Sequence, residues 1–547
     1  MSVIPARHAD RRHRSGTNLY AANGTPILTY GTRLLRLSLG LRRDFVWPFI
    51  IADVDRAIIG ADFLAEFHLL PDMRRAKLID GSTLLSVGCI IESIDIGTTA
   101  VSTIDHSSEF AKVLAEFPAL TQPNRKRECG VTHSTQHFIE TEGPPVTARA
   151  RRLPPEKYKA AKLAFEEMLR SGDARPSKSP WASPLHVANK RGVERWRMCG
   201  DYRALNAATR ADKYPVPNIQ DFNITLHGAK VFTKLDITRA YFHIPMAPGD
   251  IEKTAVITPF GLFEFPFMPF GLKNAAQTFQ RFMDGLLRGL PFAYVYIDDV
   301  LIASNSIEEH REHVRQVLER LSQAGLTLSA GKCVYAQSSI EFLGYNVDEA
   351  GIRPSPSRVE VITTYPKPSD VSGLRRFIGM LGFYRRCLPN IADIQRRVQA
   401  IICTNKKNDK TPLVWTEDAE LAFEELKQCL KDAVMLHHPD GSLPIILSTD
   451  ASSTAIGAVL SQQREDALEP LAFFSRKLSP AETRYCTYDR ELLAIYAAVR
   501  HFRSYLEGRE FAIYTDHKPI VFTFDQHSEK APPRRARQLD CGCAFAN

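Results

Sequence analysis

The chain has 547 residues, 44% of them hydrophobic, too many for one core, so three or four globular domains are expected. Its ten scattered cysteines form no CxxC pair and no Cys/His zinc spacing, no signal peptide is visible, and no apolar run approaches the roughly 20 residues that span a bilayer, which argues against a disulfide framework, a zinc site and a membrane protein. The net charge of +8 is modest but uneven: Pro145 to Lys213 carries 16 Lys/Arg against 7 Asp/Glu, with Trp181, Trp196 and Tyr202 among them, a pattern that favours a nucleic-acid track over a merely solvated face.

Residues 1–80 read as short strands and turns, with Asn23-Gly24 as a hairpin signal and apolar runs at Trp47–Ile51 and Ala57–Leu64. Arg11-Arg12-His13-Arg14 is a short basic surface patch, with a nuclear signal as the alternative. Residues 81–144 have weak periodicity and read as a linker with some local structure. Pro154-Pro155 then opens a helix through Arg170, with Tyr158, Ala161, Phe165 and Met168 on one face.

Val231–Asp236 alternates and ends in an acid. Asn274–Met283 reads as a helix, behind Gly271, where close backbone approach is expected. Ala293–Ala303 reads as strand, tight turn and strand, with Asp298 and Asp299 at the tip. Adjacent acids there repel, and a divalent cation relieves the repulsion. An Asx-type turn is the competing reading for Asp298-Asp299 in isolation. With Asp236, three carboxylates are expected to converge on one metal cluster.

Downstream, Leu374–Tyr384 reads as a helix in which Gly379 and Gly382 permit close approach, and Glu420–Leu430 as an amphipathic helix. Ile445–Asp450 and Phe511–Asp516 are strands ending in acids. Arg490–Arg503 is a helix with Glu491 at its start and Leu492, Ile495, Tyr496 and Val499 on its apolar side.

Tyr296-Ile-Asp-Asp299, Leu235-Asp236, Met268-Pro-Phe-Gly-Leu272 and Trp196–Asn206 together resemble the palm and fingers of a reverse transcriptase, specifically in Pol polyproteins of gypsy-like LTR retrotransposons. The resemblance implies an α/β multidomain chain. Residues 1–80 would be a truncated all-β retropepsin-like remnant, 81–144 a linker, 145–350 fingers and palm, 351–412 thumb, 413–440 connection, and 441–547 a C-terminally truncated ribonuclease H-like domain. Ile58–Leu64 and Ser2–Pro5 resemble segments of retroviral-type aspartic proteases, but no Asp-Thr-Gly or Asp-Ser-Gly occurs in the chain, so no protease activity is expected. Phe342-Leu-Gly-Tyr345 resembles the hairpin that positions the primer terminus.

The resemblance further implies an RNA-directed DNA polymerase using magnesium, with manganese as the alternative. Asp236 and Asp298 would bind metal and Asp299 support them. Lys190 and Arg197 would hold the triphosphate, Tyr241 would discriminate the sugar, and Phe270 and Gly271 would contact template or nucleotide. Core packing is the competing reading for Tyr241 and Phe270, and surface charge for Lys190 and Arg197. Asp450, Glu491 and Asp516 resemble three of the four metal-binding acids of ribonuclease H. The fourth has no counterpart before Asn547, so ribonuclease activity is expected to be weak or absent. Partners would be RNA and DNA template–primer and deoxynucleoside triphosphates, with a dimer left open and a cytoplasmic, particle-associated or nuclear location. The rival from another class is a decayed or domesticated, non-catalytic nucleic-acid-binding protein.

Overall fold

The structure is a computed structural model and describes residues 2–6, 19–20, 26–41, 44–54, 57–72, 77–83, 85–88, 109–121, 133–189, 196–219, 221–402, 406 and 409–525. The chain divides into two compact units, with the division near residue 103. Among the described residues, no helix is long and apolar enough to cross a membrane.

In the first unit, β1 (Val3–Pro5) pairs in parallel with β3 (Asp44–Ala52), which pairs antiparallel with β2 (Thr29–Ser38). The short helix α1 (Ala61–Glu66) packs Phe63 against Phe45, Phe49 and Trp47. Asn23-Gly24 lies outside the described residues, but Leu19–Tyr20 and Pro26–Ile27 on either side of it pair antiparallel, as a hairpin requires.

The second unit begins inside the expected linker. Helix α2 (Glu109–Ala115) and the 3₁₀ turn Pro118–Leu120 bury Phe110, Val113, Leu114 and Leu120 in the largest apolar cluster. Seven helical residues are too few for a clear 3.6-residue period, so tertiary packing, not pattern, defines this element. Helix α3 (Pro155–Ser171) follows as expected, burying Ala161 and Phe165. A mixed sheet then joins β4 (Ser183–Asn189), β5 (Trp196–Gly200), β7 (Val256–Thr258) and β8 (Gly261–Glu264), and β6 (Val231–Asp236) passes to a second sheet.

That second sheet has the order β9 (Ala293–Tyr296), β10 (Asp299–Ser304), β6, β11 (Val334–Gln337). Two helices support it, and both are explained by their periodicity. Helix α4 (Ala275–Leu286) buries Ala275, Phe279, Phe282 and Met283. Helix α5 (Ile307–Gln323) starts at Ser306, whose side chain accepts from the Glu309 N–H, and buries His310, Val314, Val317, Leu318 and Leu321. Strand β10 is covered on both faces, so its Val300-Leu-Ile-Ala run is apolar without alternation.

A hairpin of β12 (Ser339–Phe342) and β13 (Tyr345–Asp348) turns through Leu343 and Gly344, both left-handed. Its sheet continues through β14 (Gly351–Pro354) to β15 (Leu436–His437). Helices α6 (Val371–Phe383), α7 (Ile391–Gln399) and α8 (Glu417–Lys431) pack Phe377, Leu381, Phe423 and Leu426 into the same cluster. A Cβ on Gly379 or Gly382 would meet nothing within 4 Å, so neither permits a close approach. These glycines face open space; the expectation from sequence is corrected there.

The last sheet has the order β18 (Ala467–Lys477), β17 (Ala455–Arg464), β16 (Ile445–Ala451), β19 (Phe511–Tyr514), with α9 (Thr487–His501) packed on it. Polar contacts anchor this sheet to the rest of the unit. Asn223 Nδ2 donates to the His437 carbonyl at 3.0 Å, and its Oδ1 bonds the buried His438 ring, whose Nε2 meets the Asp348 carbonyl at 2.7 Å. Gln462 of β17 donates to the His438 carbonyl at 3.2 Å. Asn223→Ala would take this partner from the His437 carbonyl and the His438 Nδ1 in a buried setting. It is expected to destabilise the second unit by about 1–3 kcal/mol, read as a lower denaturation midpoint at unchanged slope.

Candidate active sites

The first site lies at one end of the β9-β10-β6-β11 sheet. Antiparallel register sets Asp236 opposite Asp299 on the β6–β10 pair and Tyr296 opposite Asp299 on the β9–β10 pair. Ile297 and Asp298 make the turn. Ile297 has φ +56°, a left-handed conformation that costs a β-branched residue on the order of 1–3 kcal/mol. Gln280 of α4 offsets that cost. Its Oε1 accepts from the Ile297 N–H at 2.8 Å, while its Nε2 donates to Asp284 Oδ1 at 2.8 Å and the Val295 carbonyl at 3.2 Å. Gln280 is fully buried, and sequence reasoning saw it only as a helix residue.

Burial pushes the Asp298 carboxyl above the usual carboxylate range, and the charges of Asp299 and Asp236 push it further, against Lys332. Two lysines hold the flanking acids. Lys332 Nζ lies 3.3 Å from both Asp236 oxygens, and Lys234 Nζ lies 3.4 Å from Asp299 Oδ1. Among the described residues, the one acidic group with an oxygen from each member within 4.8 Å of the others is elsewhere, so the three acids adjoin without closing to that distance. Neither lysine was legible from sequence. Lys234 alternates outward on β6, and Lys332 is 96 positions from its partner.

Beside this hairpin, Tyr241 is half-buried, with its ring 5.2 Å from Phe270 and 5.8 Å from Phe279. Burial, then the neighbouring Asp298, pushes its phenol up to about 12. The Arg197 guanidinium stands 5.3 Å over the Phe270 ring. Arg197, Phe270, Tyr241 and Asp298 therefore form one file. Gly271 has φ +98°, which selects glycine; a Cβ there would only reach ordinary contact with Tyr202 at 3.5 Å. Asn206, the last residue of the Trp196–Asn206 segment, donates to the Gly271 carbonyl at 2.9 Å and accepts from the Lys273 N–H at 2.9 Å. Lys190 lies outside the described residues.

The second site is tighter. β16 and β19 run parallel, with Ser448 opposite Tyr514, and both chains continue to an acid, Asp450 and Asp516. Glu491 comes from the first turns of α9. One oxygen of each of the three lies within 4.8 Å of the others. Glu491 is 4% exposed and its Oε2 has no hydrogen-bond partner. Burial, then Asp450 and Asp516, pushes its carboxyl up to about 7. Both acidic sets offer only oxygen donors, the set that a hard divalent cation takes, and the orphaned Glu491 oxygen fits such an ion.

Residues 188–347 match the family described as reverse transcriptase (RNA-dependent DNA polymerase), and residues 415–513 match the RNase H-like domain found in reverse transcriptase. The second unit thus carries a reverse transcriptase domain followed by an RNase H-like domain. The relatives of the chain are retrotransposon Pol polyproteins. It is 33% identical over 493 residues to the retrovirus-related Pol polyprotein from transposon opus of Drosophila melanogaster, covering 87% of this chain and 49% of that protein. It is 36% identical over 391 residues to the transposon Tf2-3 polyprotein of Schizosaccharomyces pombe, covering 70% of this chain and 29% of that protein. The chain therefore spans about half or less of these relatives. The fold is similar to that of a foamy viral protease-reverse transcriptase solved with double-stranded DNA, at a TM-score of 0.70 and 17% identity, covering 99% of this chain and 93% of that one.

Glu491 generates a stability prediction. Its folded-state pKa lies above that of an unfolded glutamate, so the folded chain binds the extra proton and loses stability as pH rises from about 4.5 through about 7. In chelator-treated buffer, Glu491→Gln is expected to raise the melting temperature of the RNase H-like domain at pH 8, by up to about 3 kcal/mol of stability, and to change it little at pH 4.5. Differential scanning calorimetry at the two pH values checks this.

Proposed function

We propose that the chain is an RNA-directed DNA polymerase that extends a primer 3′-hydroxyl on an RNA or DNA template by two-metal nucleotidyl transfer, within a retrotransposon Pol polyprotein. The observation that carries this reading is the hairpin register that sets Asp299 opposite Asp236 with Asp298 in the adjoining turn, beside the Arg197–Phe270–Tyr241 file. Asp236 and Asp298 would hold magnesium, or manganese in its place, and Asp299, paired to Lys234, would support them. The bound ions would neutralise the charge that develops on the attacking and leaving oxygens.

This chain's residues do the rest by positioning, which supplies most of the catalysis in such transfers. Arg197 takes the triphosphate through its planar guanidinium, oriented by the Phe270 face. Tyr241 fills the space beside the sugar, where a 2′-hydroxyl would clash. The basic Pro145–Lys213 segment tracks the template–primer phosphates. Asp450, Glu491 and Asp516 would bind a divalent ion in the RNase H-like domain, where these three acids alone are expected to support weak hybrid cleavage or none. Residues 1–80 are read as a retropepsin-like segment, on the resemblance of Ser2–Pro5 and Ile58–Leu64. The presence of all three polymerase acids weighs against the reading as a non-catalytic, domesticated binding protein.

Asp298→Asn is expected to keep the fold and lower primer extension by at least about 10²–10³-fold, because a neutral amide leaves developing charge unbalanced. Extension of a labelled DNA primer on an RNA template measures this. Wild-type synthesis by the variant would sink the proposal.

A further inference from the structure

The acids of the polymerase site sit at the end of β6 and in the β9–β10 turn, yet the loop that braces them lies nearly a hundred residues downstream. Residues Thr327–Cys333 form that loop. The Thr238 N–H bonds the Thr327 carbonyl at 2.8 Å, and the Ser329 N–H bonds the Asp236 carbonyl at 2.8 Å. Cys333 Sγ accepts from the Asp236 N–H at 3.4 Å, and Lys332 reaches the Asp236 carboxylate. Both peptide groups of Asp236 and its side chain are thus held by one short loop.

That loop is itself held from outside the polymerase family match, which begins at residue 188. The Leu328 N–H donates to the Leu120 carbonyl at 2.7 Å. Leu120 is fully buried, in the same apolar cluster as Leu235, Ile237 and Leu328. Upstream of it, α2 lies on α5. Phe110 meets the buried His310 ring at 5.7 Å, and Val113 and Leu114 join Val314, Val317 and Leu318 in the core. Glu116 grips Arg315 with two bonds of 2.9 and 3.0 Å, and Glu109 meets Arg311 at 3.2 Å.

His310 extends this support to the strands that carry the acids. Its Nε2 bonds Thr233 Oγ1 of β6 at 2.7 Å, and its Nδ1 bonds Ser304 Oγ of β10 at 2.7 Å. Phe110 covers that ring. The segment from Glu109 to Thr121 therefore reaches the site by two routes: through Leu120 to the bracing loop, and through Phe110 and His310 to β6 and β10.

We propose that Glu109–Thr121 is a strap that positions Asp236 for nucleotidyl transfer, so that the working polymerase begins at or before Glu109. Phe110, Leu120 and Glu116 are its positioning residues; none touches substrate. This rests on the polymerase reading above. It also fixes where processing could separate the two units without loss of synthesis: upstream of Glu109.

The test uses the full chain, with two variants and two readouts. Leu120→Ala opens space behind the loop. Glu116→Arg sets two arginines against each other on the exposed side, and Arg315→Glu on that background restores the pair. The rate of single-nucleotide incorporation is expected to fall about tenfold or more in Leu120→Ala, at a template–primer Kd within about twofold of wild type. Hydrogen exchange at the Leu328 and Ser329 amides should quicken in Leu120→Ala and in Glu116→Arg, return in the double variant, and stay unchanged at Leu447 and Leu460 in the last sheet. If Leu120→Ala unfolds, the Glu116→Arg pair decides by exchange alone. Wild-type incorporation with unchanged exchange at Leu328 would overturn the strap while leaving the polymerase intact. A wild-type chain that incorporates nothing would overturn the polymerase reading, with exchange still reporting on the strap.

Discussion

Three carboxylates are forced together by strand register. Asp236 and Asp299 are cross-strand neighbours, and Asp298 stands in the turn beside them. Like charges at such spacing are unfavourable, and burial of Asp298 adds to the cost. Much around them counters that cost. Gln280 pins the strained Ile297, Lys332 and Lys234 sit on the two flanking acids, and a loop that the strap backs holds the backbone of Asp236. The same problem recurs in the RNase H-like domain, where Glu491 is buried between Asp450 and Asp516. In both places the fold holds acids that a divalent cation would relieve.

The polymerase acids and the RNase H-like acids differ in how that repulsion is managed. In the first, each flanking carboxylate has a lysine and the three oxygen sets stay apart. In the second, the three close to within 4.8 Å and Glu491 keeps an oxygen without a partner. Both sites therefore hold one carboxyl with a raised pKa, Asp298 in the first and Glu491 in the second, and the first adds ion pairs that incoming cations and phosphates must rearrange.

What could be read from sequence was what local pattern encodes. The 293–303 hairpin, α3, α4 and α9 follow from apolar spacing of two or 3.6 residues, and the acids at strand ends mark both sites. What could not be read depends on contacts between distant residues. Lys332, Cys333 and Gln280 look like ordinary loop or helix residues until the sheet closes. The strap of Glu109–Thr121 is too short to show a period, and it lay within the expected linker. Gly379 and Gly382 misled in the other direction, because glycine in a helix suggests close packing that these two do not make.

The central claim is that Asp236 and Asp298 form a cation site made competent by the surrounding supports. Manganese titration followed by electron paramagnetic resonance tests it most directly, using the full chain with a chain-terminated primer, template and the matching nucleotide. A Glu491→Gln background removes the second site from the signal. The account predicts saturable binding that is lost in Asp236→Asn and in Asp298→Asn. Identical titration curves for these variants and their parent would contradict it.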